Sequence, residues 1–243
     1  GGPHRIGNPD VAAFWQMLLE WARGEGYGSL SSRLSLEEGL LALPLTGVVE
    51  VQPNVVRELN LDAEALVMDY EHKVRKNVKK AVRNGLTVEF DFHGTELDAF
   101  HDIYLDTMRR NEAPPFYHFD LTVFEGVVQE MPGSFLFAHV RKGAEIVSTE
   151  LVLRSVTSLF SFLGGTRAEA FEDRPNDLLK HEVALFGIRE GYARYILGGG
   201  VGGKDGGEDG IYRYKLAFAP HGRRPFRVIR LDLGRMDQAG GYA

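Results

Sequence analysis

The chain has 243 residues, 44% of them apolar and 26% charged, and its 28 basic and 34 acidic side chains give a formal net charge of −6. That length encloses one large core or two small ones, and the acidic balance argues against a general nucleic-acid binder, DNA included. There is no cysteine, which excludes disulfides, thiolate zinc sites and a cysteine nucleophile and agrees with a reducing compartment. No run of about 18 apolar residues occurs, so stable membrane insertion is not expected. The opening residues, GGPHRIGNPD, lack the apolar stretch of a signal peptide and an initiator Met. A cytoplasmic protein with upstream sequence missing is expected.

In chain order, Pro9-Asp10 followed by VAAFWQMLLEWARGEG predicts a helix, with Val11, Phe14, Trp15, Leu18 and Trp21 near helical spacing and the Gly24–Gly28 region as its end. Three strand-like runs follow, LSSRLSL, LLALPL and VVEVQPNVVRELNL. Asp62 then opens one long helix as a plausible N-cap, and Gly85 closes it. LTVEFDF is predicted as a strand and TELDAFHDIYLDTMRRN as an amphipathic helix. Pro114 and Pro115 break the chain before a shorter helix from about Asp120 to Glu130.

The next stretch is the most regular. SFLFAHVRKGAEIVSTELVLRS predicts two strands joined at Lys142-Gly143, and SLFSFLGG a third, all rich in β-branched and aromatic residues. DRPNDLLKHEVALFGIREG is predicted as a helix, ARYILGGG as a strand, GIYRYKLAFAP as a short helix, and PFRVIRLDL as a closing strand. This order predicts an α/β fold in which residues 134–233 form one mixed sheet covered by helices.

Several chemistries are set aside on spacing. GGGVGGKD, from Gly198 to Asp205, matches a phosphate-binding frame at Gly198, Gly203 and Lys204, but Asp205 replaces the Ser or Thr that would ligate magnesium. A mobile glycine loop over residues 200–209 is expected instead. No pair of histidines has metal-ligand spacing, so no metal site is expected, and no G-x-S-x-G elbow places a serine nucleophile.

The run Lys73, Arg75, Lys76, Lys79, Lys80 and Arg83 puts six positive charges into eleven residues of an acidic chain. On a helix, Arg75, Lys76, Lys79, Lys80 and Arg83 share one face through i, i+3 and i+4 spacing. Such a face is either simply solvated or a ridge that neutralises a polyanion backbone or a diphosphate.

Two separated motifs carry a family likeness. Leu178-Leu179-Lys180, Leu197-Gly198-Gly199 and Asp209-Gly210-Ile211-Tyr212-Arg213-Tyr214-Lys215 with Phe218 resemble the helix, strand and "DGLYRFK" elements of FemABX-type transferases. Lys73, Arg75, Val78, Lys80, Ala81 and Gly85 match an earlier signature of the same family, and the likeness runs from Val55 to Arg235. The resemblance implies tandem GNAT-like subdomains. The first, residues 1–91, would be N-terminally incomplete and end in the basic helix 63–84. The second, residues 92–243, would be catalytic, its tail returning to the first.

The resemblance further implies aminoacyl transfer from aminoacyl-tRNA to an amino group of a peptidoglycan precursor, with no cofactor. Lys215 would stabilise the tetrahedral intermediate or the tRNA terminus electrostatically, and Tyr214 would serve packing and orientation. Arg75, Lys76, Lys79, Arg83, Lys180, Tyr212 and Arg213 would bind substrate. GNAT enzymes that use acyl-CoA hold its pyrophosphate on a glycine-rich loop at a helix N-terminus. The corresponding stretch here, TRAEAFEDRPN, has no glycine and carries Glu169, Glu172 and Asp173. An acyl-CoA-dependent GNAT transferase of envelope or exopolysaccharide biosynthesis and a non-catalytic RNA-binding module remain the alternatives. The general base is open among Asp209, Glu182 and Glu150.

Overall fold

The computed structural model describes residues 2–36, 42–44, 46–200 and 209–234. The expected strand LLALPL and the glycine loop fall largely outside the described residues. The chain forms two compact units, Gly1–Asn54 with Arg224–Ala243, and Val55–Arg223. Residue 91, the expected end of a first subdomain, lies inside the second unit.

In the smaller unit α1 (Val11–Gly24) starts where the Asp10 carboxylate accepts from the Ala13 N–H at 2.9 Å. Trp15 is buried with Leu34 and Ile229, and its Nε1–H donates to the Ala42 carbonyl at 2.9 Å. Phe14 and Trp21, although in helical spacing with it, remain exposed. Strand β1 (Ser29–Arg33) pairs antiparallel with the described end of the chain, in β8 (Arg223–Asp232). Strand β2 (Val48–Glu58) runs along the chain from this unit into the next.

The larger unit opens with α2 (Ala63–Asp69) and α3 (His72–Arg83), not the single helix expected from Asp62 to Gly85. The break falls at Tyr70, whose backbone is extended (φ −65°, ψ 149°). Tertiary contacts stabilise it. The Tyr70 ring is buried against Phe218 and His181, the Glu71 N–H donates to the Ala217 carbonyl at 2.9 Å, and Arg75 donates to the Met68 and Tyr70 carbonyls. Helical spacing continues through the break, so periodicity alone does not reveal it.

Then come β3 (Leu86–Asp91), α4 (Leu97–Arg110), a 3-10 turn at Pro115–Tyr117, α5 (Leu121–Glu130), β4 (Phe135–Lys142), β5 (Glu145–Arg154) and β6 (Ser158–Thr166). A 3-10 segment at Ala168–Asp173 leads into α6 (Pro175–Arg189), β7 (Arg194–Gly198) and α7 (Gly210–Leu216). The strands of this unit lie in the order β3-β4-β5-β6-β7-β2. Among the described residues β3–β4, β4–β5, β5–β6 and β7–β2 pair antiparallel, whereas β6 and β7 are parallel and joined through α6. This is the mixed α/β sheet expected.

Strand β4 has six consecutive buried residues because both faces of the sheet are covered. Leu136, Ala138 and Val140 join Leu179, Val183 and Phe186 of α6 in one core, while Phe135 and Phe137 meet Phe100, Tyr104 and Phe124 of α4 and α5 in the other. Helix α6 is buried over ten of its fifteen residues, and these include the polar Asp177, Lys180 and His181. A helix buried that thoroughly carries polar side chains only where they find partners.

Helix α4 lies directly on β6. The Thr107 hydroxyl accepts from the Thr166 N–H at 3.1 Å, and a methyl on Gly165 would lie 2.6 Å from the Ile103 carbonyl oxygen. Backbone cannot yield as a side chain does, so Gly165→Ala is expected to destabilise the protein by about 1–3 kcal/mol. Gly143 occupies an open turn with φ 63°, where substitution meets backbone strain and no such contact. Denaturant midpoints at unchanged m-value measure the Gly165 effect, and a wild-type midpoint would refute the close approach.

Candidate active site at the divergence of β6 and β7

Strands β6 and β7 pair over only three positions, Ser158↔Arg194, Leu159↔Tyr195 and Phe160↔Ile196. Past Ile196, β7 keeps only its pairing with β2, where Val55 faces Gly198, while β6 continues along β5 to Thr166. The two parallel strands therefore separate at their C-terminal ends, the place where α/β sheets open a crevice for ligands. A cavity of about 290 Å³ lies there, floored by residues 161–166 of β6 and closed on one side by α7.

Buried charge lines the cavity. Glu150 of β5 is 3% exposed and Lys180 of α6 is 7% exposed. The Lys180 ammonium lies 2.8 Å from Glu150 Oε1 and donates to Ser161 Oγ at 2.6 Å, and the Tyr195 hydroxyl donates to the same Glu150 oxygen at 2.9 Å. Among the described residues Glu150 Oε2 has no hydrogen-bond partner. Burial, with the nearby Glu150 carboxylate, holds the Tyr195 hydroxyl firmly protonated.

Helix α7 begins at Asp209, whose carboxylate accepts from the Ile211 and Tyr212 N–H groups at 2.9 and 3.1 Å. Its turn directs Ile211, Tyr214 and Lys215 toward the cavity and sends Tyr212 into the core, with Arg223 over its ring. Arg213 is exposed. The Lys215 ammonium donates to the Gly199 carbonyl at 2.6 Å, just past the end of β7. Burial, and then the neighbouring Lys180 charge, pull its pKa down to about 8, while Glu150 and Asp209 oppose that shift. An ammonium with that pKa is charged at neutrality and lies close to losing its proton.

The basic residues of α3 form a separate groove. His72, Arg75, Lys76, Lys79, Lys80 and Arg83 surround an open depression of about 330 Å³. Arg75 is engaged with carbonyls at the α2–α3 break and Lys80 lies 3.6 Å from Glu172, whereas Lys76, Lys79 and Arg83 are exposed. Helix α3 is tied to the start of α6 by Asn77, which donates to the buried Asp177 carboxyl at 3.0 Å, and by Asn84, which donates to Asp173 at 2.7 Å. Asn176, between those two acids, lines the cavity, so one helix start connects groove and cavity.

The structure thus brings Lys180, Tyr214 and Lys215 together and leaves the α3 residues, Tyr212 and Arg213 elsewhere in the same unit. Of the three open base candidates, only Glu150 lines the cavity. Asp209 caps α7, and Glu182 sits on another part of α6. Ser161, Tyr195, Asn176 and Arg110 escaped the sequence reading. Only the Phe-Ser-Phe alternation of β6 and the polar residues of a helix apolar all round could have drawn attention to that set. Among the described residues, no group of three or more His, Asp or Glu converges as a metal site. No described helix is long and apolar enough to cross a membrane.

No curated protein matches the chain in sequence. Its fold is similar to the crystal structure of FemX, at 13% identity over 91% of this chain and 74% of that one, with a TM-score of 0.66. It is also similar to the C-terminal domain (DUF2156) of a putative lysylphosphatidylglycerol synthetase from Agrobacterium fabrum, at 14% identity over 89% and 72% of the two chains, TM-score 0.62. A tandem GNAT protein from the clavulanic acid biosynthesis pathway gives 13% identity over 93% and 70%, TM-score 0.53. At these identities the likeness is one of fold. Residues 69–216, more than half of the chain, match the family described as Acetyltransferase (GNAT) domain. With that match spanning α3 to α7 and the whole charged cavity, the chain belongs to the GNAT acetyltransferase-domain family and is an N-acyltransferase.

Proposed function

We propose that this transferase acts in the cytoplasm and moves an aminoacyl group from aminoacyl-tRNA onto an amino group of a peptidoglycan precursor. The observation that carries this reading is a small cavity holding Lys215 and Lys180, joined through the start of α6 to a cationic groove on α3. A donor with a polyanionic body and a small reactive end suits that pair of features. The fold likeness to FemX and to a lysylphosphatidylglycerol synthetase domain supports an aminoacyl donor, and the two sequence motifs support the peptidoglycan acceptor.

In the reaction the acceptor amine attacks the donor ester carbonyl, a C–N bond forms, and the carbonyl oxygen gains negative charge. The Lys215 ammonium stabilises that oxyanion and Tyr214 shapes the wall beside it. The ester C–O bond then breaks, and the proton released by the amine leaves with the departing ribose hydroxyl. Holding the two reacting groups together at the cavity supplies the rest of the acceleration.

Acyl-CoA fits this site poorly. A pyrophosphate would need free N–H groups at the start of α6. That start has Arg174 in the left-handed conformation (φ 62°) as cap, Pro175 without an N–H, and the buried Asp177 carboxyl in its first turn. Burial raises the Asp177 pKa, which shows a carboxyl already short of solvation. An acyl-CoA transferase reading is therefore kept as the contrary outcome of the assay. Incubation with charged tRNA and purified precursor should produce a one-residue mass gain by mass spectrometry. Transfer from acyl-CoA alone would overturn the reading.

Lys215→Ala is expected to lower the maximal rate by about 10²–10³, the cost of removing one oxyanion donor, with donor binding nearly unchanged. The Lys215 pKa of about 8 gives the sign of the pH dependence. The charge is present below pH 8 and lost above it, so the wild-type rate should fall as pH rises through that value. Lys215→Arg should be slow, because a guanidinium does not replace a compact ammonium, and its profile should lack that alkaline limb. Full activity in Lys215→Ala would remove the catalytic assignment.

Neutralising Lys76, Lys79 and Arg83 should act on the other parameter. Donor affinity should fall and its log–log salt dependence should flatten by about 0.7–0.9 per lost phosphate contact. The rate at saturating donor should hold, since these contacts are made equally in ground and transition states. Normal donor affinity in the triple variant would make the groove an ordinary solvated face.

A further inference from the structure

Among the residues that line the cavity, Glu150 and Tyr214 each bury a polar atom, Oε2 and the hydroxyl oxygen, with no hydrogen-bond partner among the described residues, and Oε2 is the anionic one. Glu150 is 3% exposed, and Lys180 and Tyr195 both engage its other oxygen, Oε1. A buried carboxylate oxygen without a partner costs more than the bond it lacks, and a cationic donor relieves that cost best. Lys180 is already committed, to Glu150 Oε1 and Ser161 Oγ, and Lys215 to the Gly199 carbonyl. A cation brought by a ligand would meet that need.

We propose that Glu150 Oε2 receives the α-ammonium group of the donor's aminoacyl moiety, so that the site selects α-aminoacyl groups over simple or N-blocked acyl groups. This rests on the aminoacyl-transfer reading above and names what that site recognises. The chemistry separates the two amines of the reaction. The acceptor amine attacks only when neutral, and a carboxylate beside it would hold it protonated. The donor's α-amine has the opposite requirement, because as an ammonium it cannot attack a second ester and it withdraws electrons from the carbonyl. In an aminoacyl ester the α-nitrogen lies about 2.5 Å from the carbonyl carbon, one tetrahedral carbon away. Anion and cation sites for the two ends must therefore be neighbours. Glu150 and Lys215 line the same cavity and interact electrostatically. The register supports close packing there, since Glu150 lies opposite Gly164, and a methyl on that glycine would be 3.0 Å from Glu150 Cα.

The test is binding, independent of transfer. The probes are 3′-aminoacylamino-3′-deoxyadenosine, a non-reactive mimic of the charged tRNA end, and its N-acetyl derivative, titrated against the full chain. Wild type should bind the free-amine probe roughly 10–100-fold more tightly, the worth of one charge-assisted hydrogen bond. Glu150→Gln should bring the two affinities to within a few fold by weakening the free-amine probe alone. If that variant fails to fold, because Lys180 is left unpaired, the double variant E150Q/K180M removes both charges and should show the same convergence. Equal affinity of wild type for the two probes, no binding of either, or discrimination surviving in the variants would each overturn the proposal. Discrimination in binding without transfer from charged tRNA would sink the transfer reading and leave this recognition standing. Transfer with equal binding would do the reverse.

Discussion

Three paired residues hold β6 and β7 together, and everything chemical in the molecule follows from where that pairing stops. Parallel strands joined through a buried helix have to share hydrogen bonds on a common edge, yet β7 also serves β2 and β6 also serves β5. Beyond Phe160 and Ile196 the two demands pull the strands apart, and the sheet opens between them. Polar side chains that would be intolerable in a closed sheet can then enter from β5, α6 and α7. Glu150, Lys180 and Lys215 occupy that opening as a set of partners.

Charge in the opening is managed by mutual compensation. Lys180 and Glu150 meet at 2.8 Å with almost no exposure, and their ion pair alone would not clearly favour folding, because taking both ions out of water offsets their attraction. The added bonds from Tyr195 and to Ser161 make the pair tolerable. Lys215 is itself buried and enters a field already holding another lysine, and burial first, then that charge, bring its pKa down to about 8 while Glu150 and Asp209 limit the fall. Among the described lining residues two lysines and Arg110 face one carboxylate, which leaves a net positive cavity for an oxygen that becomes negative during acyl transfer.

The α2–α3 break shows how the same packing positions the basic groove. Tyr70 sits between Phe218, just beyond α7, and His181 of α6, so the break, the end of α7 and the central helix share one aromatic contact. Arg57, buried and paired with Asp69, also donates to the Phe218 carbonyl at 3.2 Å. Through these contacts the start of α3 is fixed relative to the end of α7, and the cations of α3 are carried on a rigid element.

Much of this was legible in the sequence for definite reasons. Alternating and continuous apolar runs specified β4, β5 and β6, because a strand covered on both faces has few other compositions open to it. The Asp-Gly start of α7 carried Tyr214 and Lys215 with it, since an Asp N-cap fixes the phase of the turn that follows. The basic run of α3 announced itself by spacing alone. Three things were decided only by tertiary structure. The helix from Asp62 broke at Tyr70 because distant aromatics and backbone groups pay for the break, while its own periodicity continues unbroken. Phe14 and Trp21 stayed outside although they share a helical spacing with Trp15, because only one stripe of α1 has a partner. Glu150, one acid among 34 acidic side chains, became the distinctive carboxylate of the cavity through its register opposite Gly164 and its distance from Lys180, and register and distance are properties of the fold that local sequence does not encode.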